Sequence, residues 1–240
     1  MEKIKTLQRI LDESDKIVFF TGAGVSTESG IPDFRSVDGL YSQKYQYPPE
    51  AIISHSFYKY NPQEFYRFYK DRMIYPDAKP NMAHIKMAEL ESKGKAIGVI
   101  TQNIDGLHQA AGSKNVYELH GSIHRNYCTK CHRFYDLDYI INSEGIPHCS
   151  CGGIIKPDVV LYEEGLDDAT LYGAIGAIRQ ADCMVIAGTS LVVYPAAGLV
   201  NYFRGKYLVL INLSATSQDS AADLLIKAKV GEVFEKIVVQ

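Results

Sequence analysis

Four runs of β-favouring apolar residues constrain this chain more than any other feature: Ile17-Val18-Phe19-Phe20, Ile97-Gly98-Val99-Ile100, Met184-Val185-Ile186-Ala187 and Leu208-Val209-Leu210-Ile211. Each ends in small or polar residues, namely Thr21-Gly22, Thr101-Gln102-Asn103, Gly188-Thr189-Ser190 and Asn212. Unbroken apolar strands are buried on both faces, the pattern of a parallel sheet covered by helices. Helical periodicity alternates with them. Residues 82–93 place Ala83, Met87 and Leu90 on one face before a capping Gly94, and residues 168–179 do the same with Leu171, Tyr172, Ile175 and Ile178. The alternation predicts a doubly wound α/β fold whose ligand lies above the carboxyl edge of the sheet, lined by the four polar loops.

At 240 residues the chain can bury one sizeable core. Its 25 basic and 28 acidic residues nearly balance, and no cationic run marks a phosphate-tracking surface, so nucleic acid is not an expected partner. The first fifteen residues carry Ile4, Leu7, Ile10 and Leu11 at helical spacing among charges, unlike a signal peptide, and no stretch is apolar enough to span a bilayer. A cytoplasmic, monomeric protein with no membrane partner is the expectation. Two segments break the strand–helix rhythm. Residues 36–79 are rich in tyrosine and hold Pro48, Pro49, Pro62 and Pro76, and residues 121–157 hold four of the five cysteines. They read as a helical insertion and a metal-binding module forming a smaller inserted lobe, with 1–35, 80–120 and 158–240 making the main nucleotide-binding domain.

Cys128-Thr-Lys-Cys131 and Cys149-Ser-Cys151 offer four thiolates from two turns, the composition of a closed tetrahedral structural zinc site. The second pair is C-x-C, one residue short of the usual spacing, so His148 or His132 is an alternative to Cys149. Cys183, inside an apolar run, reads as a buried small side chain.

In the segment Thr21–Arg35, TGAGVSTESGIPDFR, Gly22 and Gly24 follow a strand, where absent side chains let backbone N–H groups approach a pyrophosphate. The third glycine of a G-x-G-x-x-G pattern is replaced by Thr27, and no acidic residue ends a second strand about 20 residues on, which disfavours a hydride-transferring dehydrogenase. Taken with Thr101-Gln102-Asn103-Ile104-Asp105-Gly106-Leu107-His108, Glu118-Leu119-His120-Gly121, the cysteine pairs, Gly188-Thr189-Ser190-Leu191 and Ile211-Asn212, this segment resembles the sirtuin family of NAD-dependent protein deacylases, bacterial type, in block order and spacing across nearly the whole chain.

The resemblance implies a Rossmann-like sheet, NAD as a consumed co-substrate and one structural Zn2+. It implies that an acyl group passes from a protein lysine to ADP-ribose, releasing nicotinamide and O-acyl-ADP-ribose. Ala23, Thr27, Thr189, Ser190 and Asn212 would contact the dinucleotide, Val230 would lie near the adenine, and Phe34 and Arg35 would sit on a loop over the ribose and phosphates. Asn103 and Asp105 would line the nicotinamide pocket, with Gln102 near the ribose and the Ile104 backbone bonding the carboxamide. His120 would be the general base, a role suited to imidazole, while His124 lies outside the motif.

Substrate would enter by strand addition against residues 157–162 and 191–194, with Val159, Tyr162 and Val193 walling the acyl-lysine channel. Where the family has an aromatic residue, Gly and Glu, this chain has Tyr162-Glu163-Glu164, and Glu163 reads as a solvent-facing side chain. Members that prefer succinyl or malonyl groups carry Tyr-x-x-Arg; the aligned positions are Tyr66 and Tyr69. Tyr69-Lys-Asp-Arg72 has the spacing one turn later and reads as a helix-surface coincidence, so deacetylation is expected over desuccinylation.

Overall fold

The computed structural model describes residues 2–34, 39–40 and 46–239. Its strands, in chain order, are β1 (Ile17–Thr21), β2 (Ala96–Thr101), β3 (Val116–Glu118), β4 (Gly121–Cys128), β5 (Phe134–Tyr135), β6 (Ile155–Val159), β7 (Cys183–Ala187), β8 (Tyr207–Ile211) and β9 (Leu224–Ile226). The helices are α1 (Glu2–Glu13), α2 (Pro49–Ile52), α3 (His55–Tyr60), α4 (Pro62–Arg72), α5 (Met82–Ser92), α6 (Leu107–Ala110), α7 (Leu137–Asn142), α8 (Asp168–Gln180) and α9 (Val230–Phe234).

Six strands form one sheet in the order β3-β2-β1-β7-β8-β9, and every neighbouring pair is parallel. The chain builds outward from β1 to β3, then returns to build outward from β7 to β9. The reversal between β1 and β7 is the switch point at which a doubly wound sheet opens a crevice.

Alternation along the strands divides the core. Ile17 and Phe19 of β1 pack with Leu7, Met87 and Phe234 on one face, whereas Val18 and Phe20 pack with Ala174, Ile178 and Leu199 on the other. Each such burial stabilises by about 1.5–3 kcal/mol. Cys183 is fully buried among the first group. Helix α5 starts where Asn81 accepts the Ala83 N–H at 2.9 Å and ends beside Gly94 at φ +74°, as its sequence predicts.

Antiparallel β5-β4-β6 make the second sheet. Strand β6 runs to Val159, two residues past the module boundary expected at 157. Tyr58, Phe65, Tyr66 and Tyr69 from α3 and α4 share one core with Ile123, Leu137, Ile140 and Ile155, and the Tyr66 hydroxyl donates to the Ile155 carbonyl at 2.6 Å. Tyr58, Tyr66 and Tyr69 of the insertion are therefore a packing device, joining the insertion to the cysteine module, whereas Tyr60 is exposed. No helix among the described residues is long and apolar enough to cross a membrane.

Candidate active site and cysteine cluster

A cleft of about 330 Å³ opens above the carboxyl ends of β1, β2, β7 and β8 and extends under the smaller lobe. Close backbone approach at the switch point depends on glycine. The Gly24 N–H donates to the Gly188 carbonyl at 2.8 Å, and a Cβ on Gly24 would stand 2.9 Å from the Gly188 Cα. A Cβ on Gly22 would stand 2.7 Å from the Thr189 side chain. The loop after β1 is thereby pressed against the loop after β7, with backbone exposed to the cleft, the arrangement that receives a pyrophosphate.

Ala23, Gln102, Asn103, Ile104, Asp105, His120, Thr189, Ser190 and Asn212 line this cleft, together with Phe34, Val159, Tyr162 and Val193. Thr27 does not; its hydroxyl turns back to the Gly24 carbonyl at 3.1 Å. Val230 is buried at the start of α9, held near the glycine loop by Glu28, whose carboxylate accepts the Gly231 and Glu232 N–H groups. Arg35 lies outside the described residues.

His120 sits where β3 gives way to β4. Its Nδ1 is 3.0 Å from the Gln102 carbonyl oxygen, which can only accept, so Nδ1 carries the ring proton and Nε2 keeps its lone pair. Burial pushes the His120 pKa below the ordinary histidine value, against the opposing pull of that hydrogen bond. A neutral imidazole with a free basic nitrogen is the state a general base requires. The next residue, Gly121, has φ +75° and faces the Asp158 carbonyl so closely that no Cβ would fit. The chain turns there from the large sheet into the small one. His124 instead donates from Nε2 to the Asp105 carbonyl at 3.1 Å and stays out of the cleft.

Asp105 accepts the Leu107 N–H at 2.9 Å and the Ser26 hydroxyl at 2.7 Å. Burial pushes its carboxyl up and those two donors pull it back. Asn103 is 8 % exposed and donates to the Ser26 oxygen at 3.0 Å. Gln102 donates to the Thr189 hydroxyl at 2.9 Å, tying the loop after β2 to the loop after β7. Ser26 is a site residue that pattern reading passed over, although it stands inside the quoted glycine loop.

The smaller lobe supplies the other wall. Tyr69 and Arg72, read from sequence as surface residues of α4, both line the cleft: Tyr69 packs with Val159 and Leu161, and Arg72 stands at the rim with its side chain 38 % exposed. The Tyr69 ring is 1 % exposed, and the Arg72 guanidinium pairs with Asp71 at 2.7 Å. Glu163 is exposed, as its sequence position suggests, but fixed in place: at φ +75° it occupies the left-handed region that favours glycine, and its carboxylate accepts the Ser56 N–H at 2.8 Å and the Ser56 hydroxyl. Glu164 binds His55 at 2.8 Å and Lys156 at 3.1 Å. Together with the Tyr162 N–H donating to the Ile53 carbonyl, these bonds anchor the segment after β6 to the start of α3.

Beyond the cleft, the sulfurs of Cys128, Cys131, Cys149 and Cys151 all lie within 4.8 Å of one another, with Cys128–Cys151 at 3.4 Å and Cys131–Cys149 at 3.6 Å. Tetrahedral zinc with Zn–S bonds of about 2.3 Å sets sulfurs about 3.8 Å apart, so this cluster is suited to one structural Zn2+. The short C-x-C pair works because the Gly152 N–H bonds the Cys149 carbonyl, with Gly152 at φ +79°, folding both thiols inward. A Cβ on Gly153 would stand 2.6 Å from the Cys128 sulfur. His148 turns to the Ile146 carbonyl at 2.7 Å, and His132 is absent from the cluster as well.

Comparison with known proteins agrees with this geometry. The model of the Sir2 family matches residues 22–195. Proteins named NAD-dependent protein deacetylase from Clostridium perfringens and Clostridium acetobutylicum are 60 % and 58 % identical, each over 99 % of both chains. Among solved structures, a Sir2 variant with deacetylated p53 peptide and 3′-O-acetyl-ADP-ribose superposes at TM-score 0.89 with 42 % identity, covering 97 % of this chain and 96 % of that one. A Sir2 enzyme bound to a propionylated peptide superposes at 0.86 with 42 % identity over 98 % and 96 %. A family model spanning most of the chain and relatives this similar over nearly its whole length establish that the chain belongs to the Sir2 family.

Proposed function

We propose that this chain is an NAD-dependent protein-lysine deacylase: ADP-ribose passes from NAD to the acyl oxygen of a modified lysine as nicotinamide leaves, and one water then lets the acyl group remain on ADP-ribose, freeing the lysine and O-acyl-ADP-ribose. The observation that carries this reading is His120, neutral and with Nε2 free, in the same cleft as Asn103, Asp105 and the glycine loop. The deacetylase names of the relatives and the peptide complexes of the structural neighbours support it.

NAD supplies the bond to be broken between ribose and nicotinamide, and the ADP-ribose that accepts the acyl group. The chain's own residues supply binding, orientation and a base. Ala23, Thr189, Ser190 and Asn212 would hold the dinucleotide, with Thr27 and Val230 acting from behind the cleft wall and Phe34 and Arg35 from the adjoining loop. Asn103, Asp105 and the Ile104 backbone would receive the carboxamide, an amide that both donates and accepts. His120 would take a ribose hydroxyl proton at Nε2. Val159, Tyr162 and Val193 would wall the acyl-lysine channel, and closure of the lobe over it would exclude water.

Residues 1–35, 80–120 and 158–240 are taken as the nucleotide-binding domain, 36–79 as a helical insertion and 121–157 as the zinc module, a division supported by the separate sheets. Four clustered thiols suited to a metal ion support action in a reducing cytoplasm, and the near balance of 25 basic and 28 acidic residues supports a protein without a nucleic-acid partner.

Matched acetyl-lysine and succinyl-lysine peptides, incubated with NAD and followed by mass spectrometry, test the reading. Acetyl removal with stoichiometric O-acetyl-ADP-ribose is expected. Nicotinamide release with neither peptide deacylated would overturn it in favour of an ADP-ribosyltransferase.

A further inference from the structure

Two histidines lie behind the site. His84 is fully buried and His108 is 1 % exposed, their rings meet at 4.8 Å, and neither lines the cleft. Burying an imidazole is costly unless its nitrogens are satisfied, by about 1–3 kcal/mol for a lost partner.

The surrounding donors determine how His84 is connected. The Asn81 backbone N–H points at Nδ1 from 3.2 Å, and an amide N–H only donates, so Nδ1 is unprotonated and Nε2 carries the ring hydrogen. Nε2 faces the Ser26 hydroxyl oxygen at 3.5 Å, and that oxygen also receives the Asn103 side-chain N–H at 3.0 Å. With both acceptor positions of Ser26 facing N–H donors, its single proton is directed to Asp105 Oδ2 at 2.7 Å. Donation runs one way, from Asn81 through His84 and Ser26 to Asp105.

We propose that His84 is a positioning residue for Asp105, acting through Ser26: the neutral Nε2–H commits the serine proton to the carboxylate and so holds Asp105 oriented as an acceptor for the nicotinamide carboxamide. The inference rests on the assignment of Asp105 to the nicotinamide pocket. Burial favours a protonated Asp105, which would present an O–H in place of a lone pair; a committed serine donor opposes that change. Burial also holds His84 neutral, with a pKa of about 4, so the donation pattern is the same throughout the neutral range.

The test compares zinc-loaded wild type with His84→Leu, His84→Gln and Asp105→Asn, measuring kcat, KM for the acetyl-lysine peptide, thermal midpoint and the nicotinamide concentration that half-inhibits. His84→Leu should lower kcat and raise the half-inhibiting nicotinamide concentration at least tenfold, with peptide KM within twofold. His84→Gln, whose amide nitrogen can donate from near the Nε2 position, should recover most of both. Lowered thermal midpoints with unchanged nicotinamide response would overturn the proposal, as would equal losses in Leu and Gln variants. If His84→Leu does not fold, His84→Asn takes its place, since its shorter amide cannot reach Ser26. An Asp105→Asn enzyme with unaltered nicotinamide response would refute the pocket assignment itself; a shifted Asp105→Asn beside an unshifted His84 variant refutes only the role of His84.

Discussion

The Nδ1–H of His120 donates to the Gln102 carbonyl oxygen at 3.0 Å, and this one bond decides which ring nitrogen faces the cleft as a base. His120→Ala should therefore leave the fold intact, because the side chain is only partly buried, and abolish deacylation. Circular dichroism and the peptide assay check the two halves of that expectation; full activity in the variant would remove His120 from the reaction.

The pH profile follows from the same residue. Burial depresses the His120 pKa, and the base works only when deprotonated, so kcat/KM should persist below pH 6.5 and fall as pH drops through the depressed value. An acid limb centred above the ordinary histidine value would contradict the burial argument.

Gly24→Ala places a methyl 2.9 Å from the Gly188 Cα, backbone against backbone, where neither side can yield cheaply. A destabilisation of about 1–3 kcal/mol is expected, with a raised KM for NAD and little change in peptide KM. Denaturant titration and steady-state kinetics measure these separately; unchanged NAD KM would show that the glycine loop does not receive the dinucleotide.

Cys149→Ser should lose zinc, whereas His148→Ala should retain it, as measured by metal content after desalting. Strand β6 connects the cluster to Val159 and Leu161 on the cleft wall, so chelation should cut activity by loosening the channel, with no open coordination position for chemistry. Zinc retention in Cys149→Ser would revive a histidine ligand.

His84 contributes a pH-dependent stability. Its folded pKa of about 4 lies below the ordinary 6.5, so the unfolded chain binds the proton first and stability falls as pH drops from about 6.5 to about 4. The whole loss is about 3 kcal/mol, and the thermal midpoint of His84→Gln should fall less steeply over that window than wild type. Parallel midpoint curves would deny His84 this share.

Arg72 lines the cleft but is already paired with Asp71, and the residue aligned with the family's acyl-reading arginine is the buried Tyr69. Acetyl-lysine should therefore be turned over faster than succinyl-lysine, and Arg72→Met should leave the acetyl rate within about threefold, an interaction of less than about 1 kcal/mol. Faster succinyl removal by wild type, lost in Arg72→Met, would instead make Arg72 the acyl reader.

Much of this molecule was determined by its sequence alone. The four apolar runs, short and free of charge, pointed to strands buried on both faces, as in a parallel sheet, and their alternation with helices put the polar ends together above it. The four thiols identified a zinc site from composition and approximate spacing. Ala23, Asn103, Asp105 and His120 were legible as residues that line the cleft, because they stand in contiguous motifs beside strand ends.

Tertiary structure decided what spacing could not. The shortened cysteine pair is completed by a glycine turn, visible only once Gly152 and Gly153 are placed. Arg72 and Tyr69 enter the cleft because α4 packs against the cysteine module, a contact between segments about 90 residues apart. His84 carried one local clue, an imidazole where a capping box usually has Glu or Gln. Its link to Asp105 required the loop after β1 and the start of α5 to meet behind the cleft. Period and motif are local properties of a chain, whereas hydrogen-bond partners and burial belong to surfaces that exist only when distant segments pack.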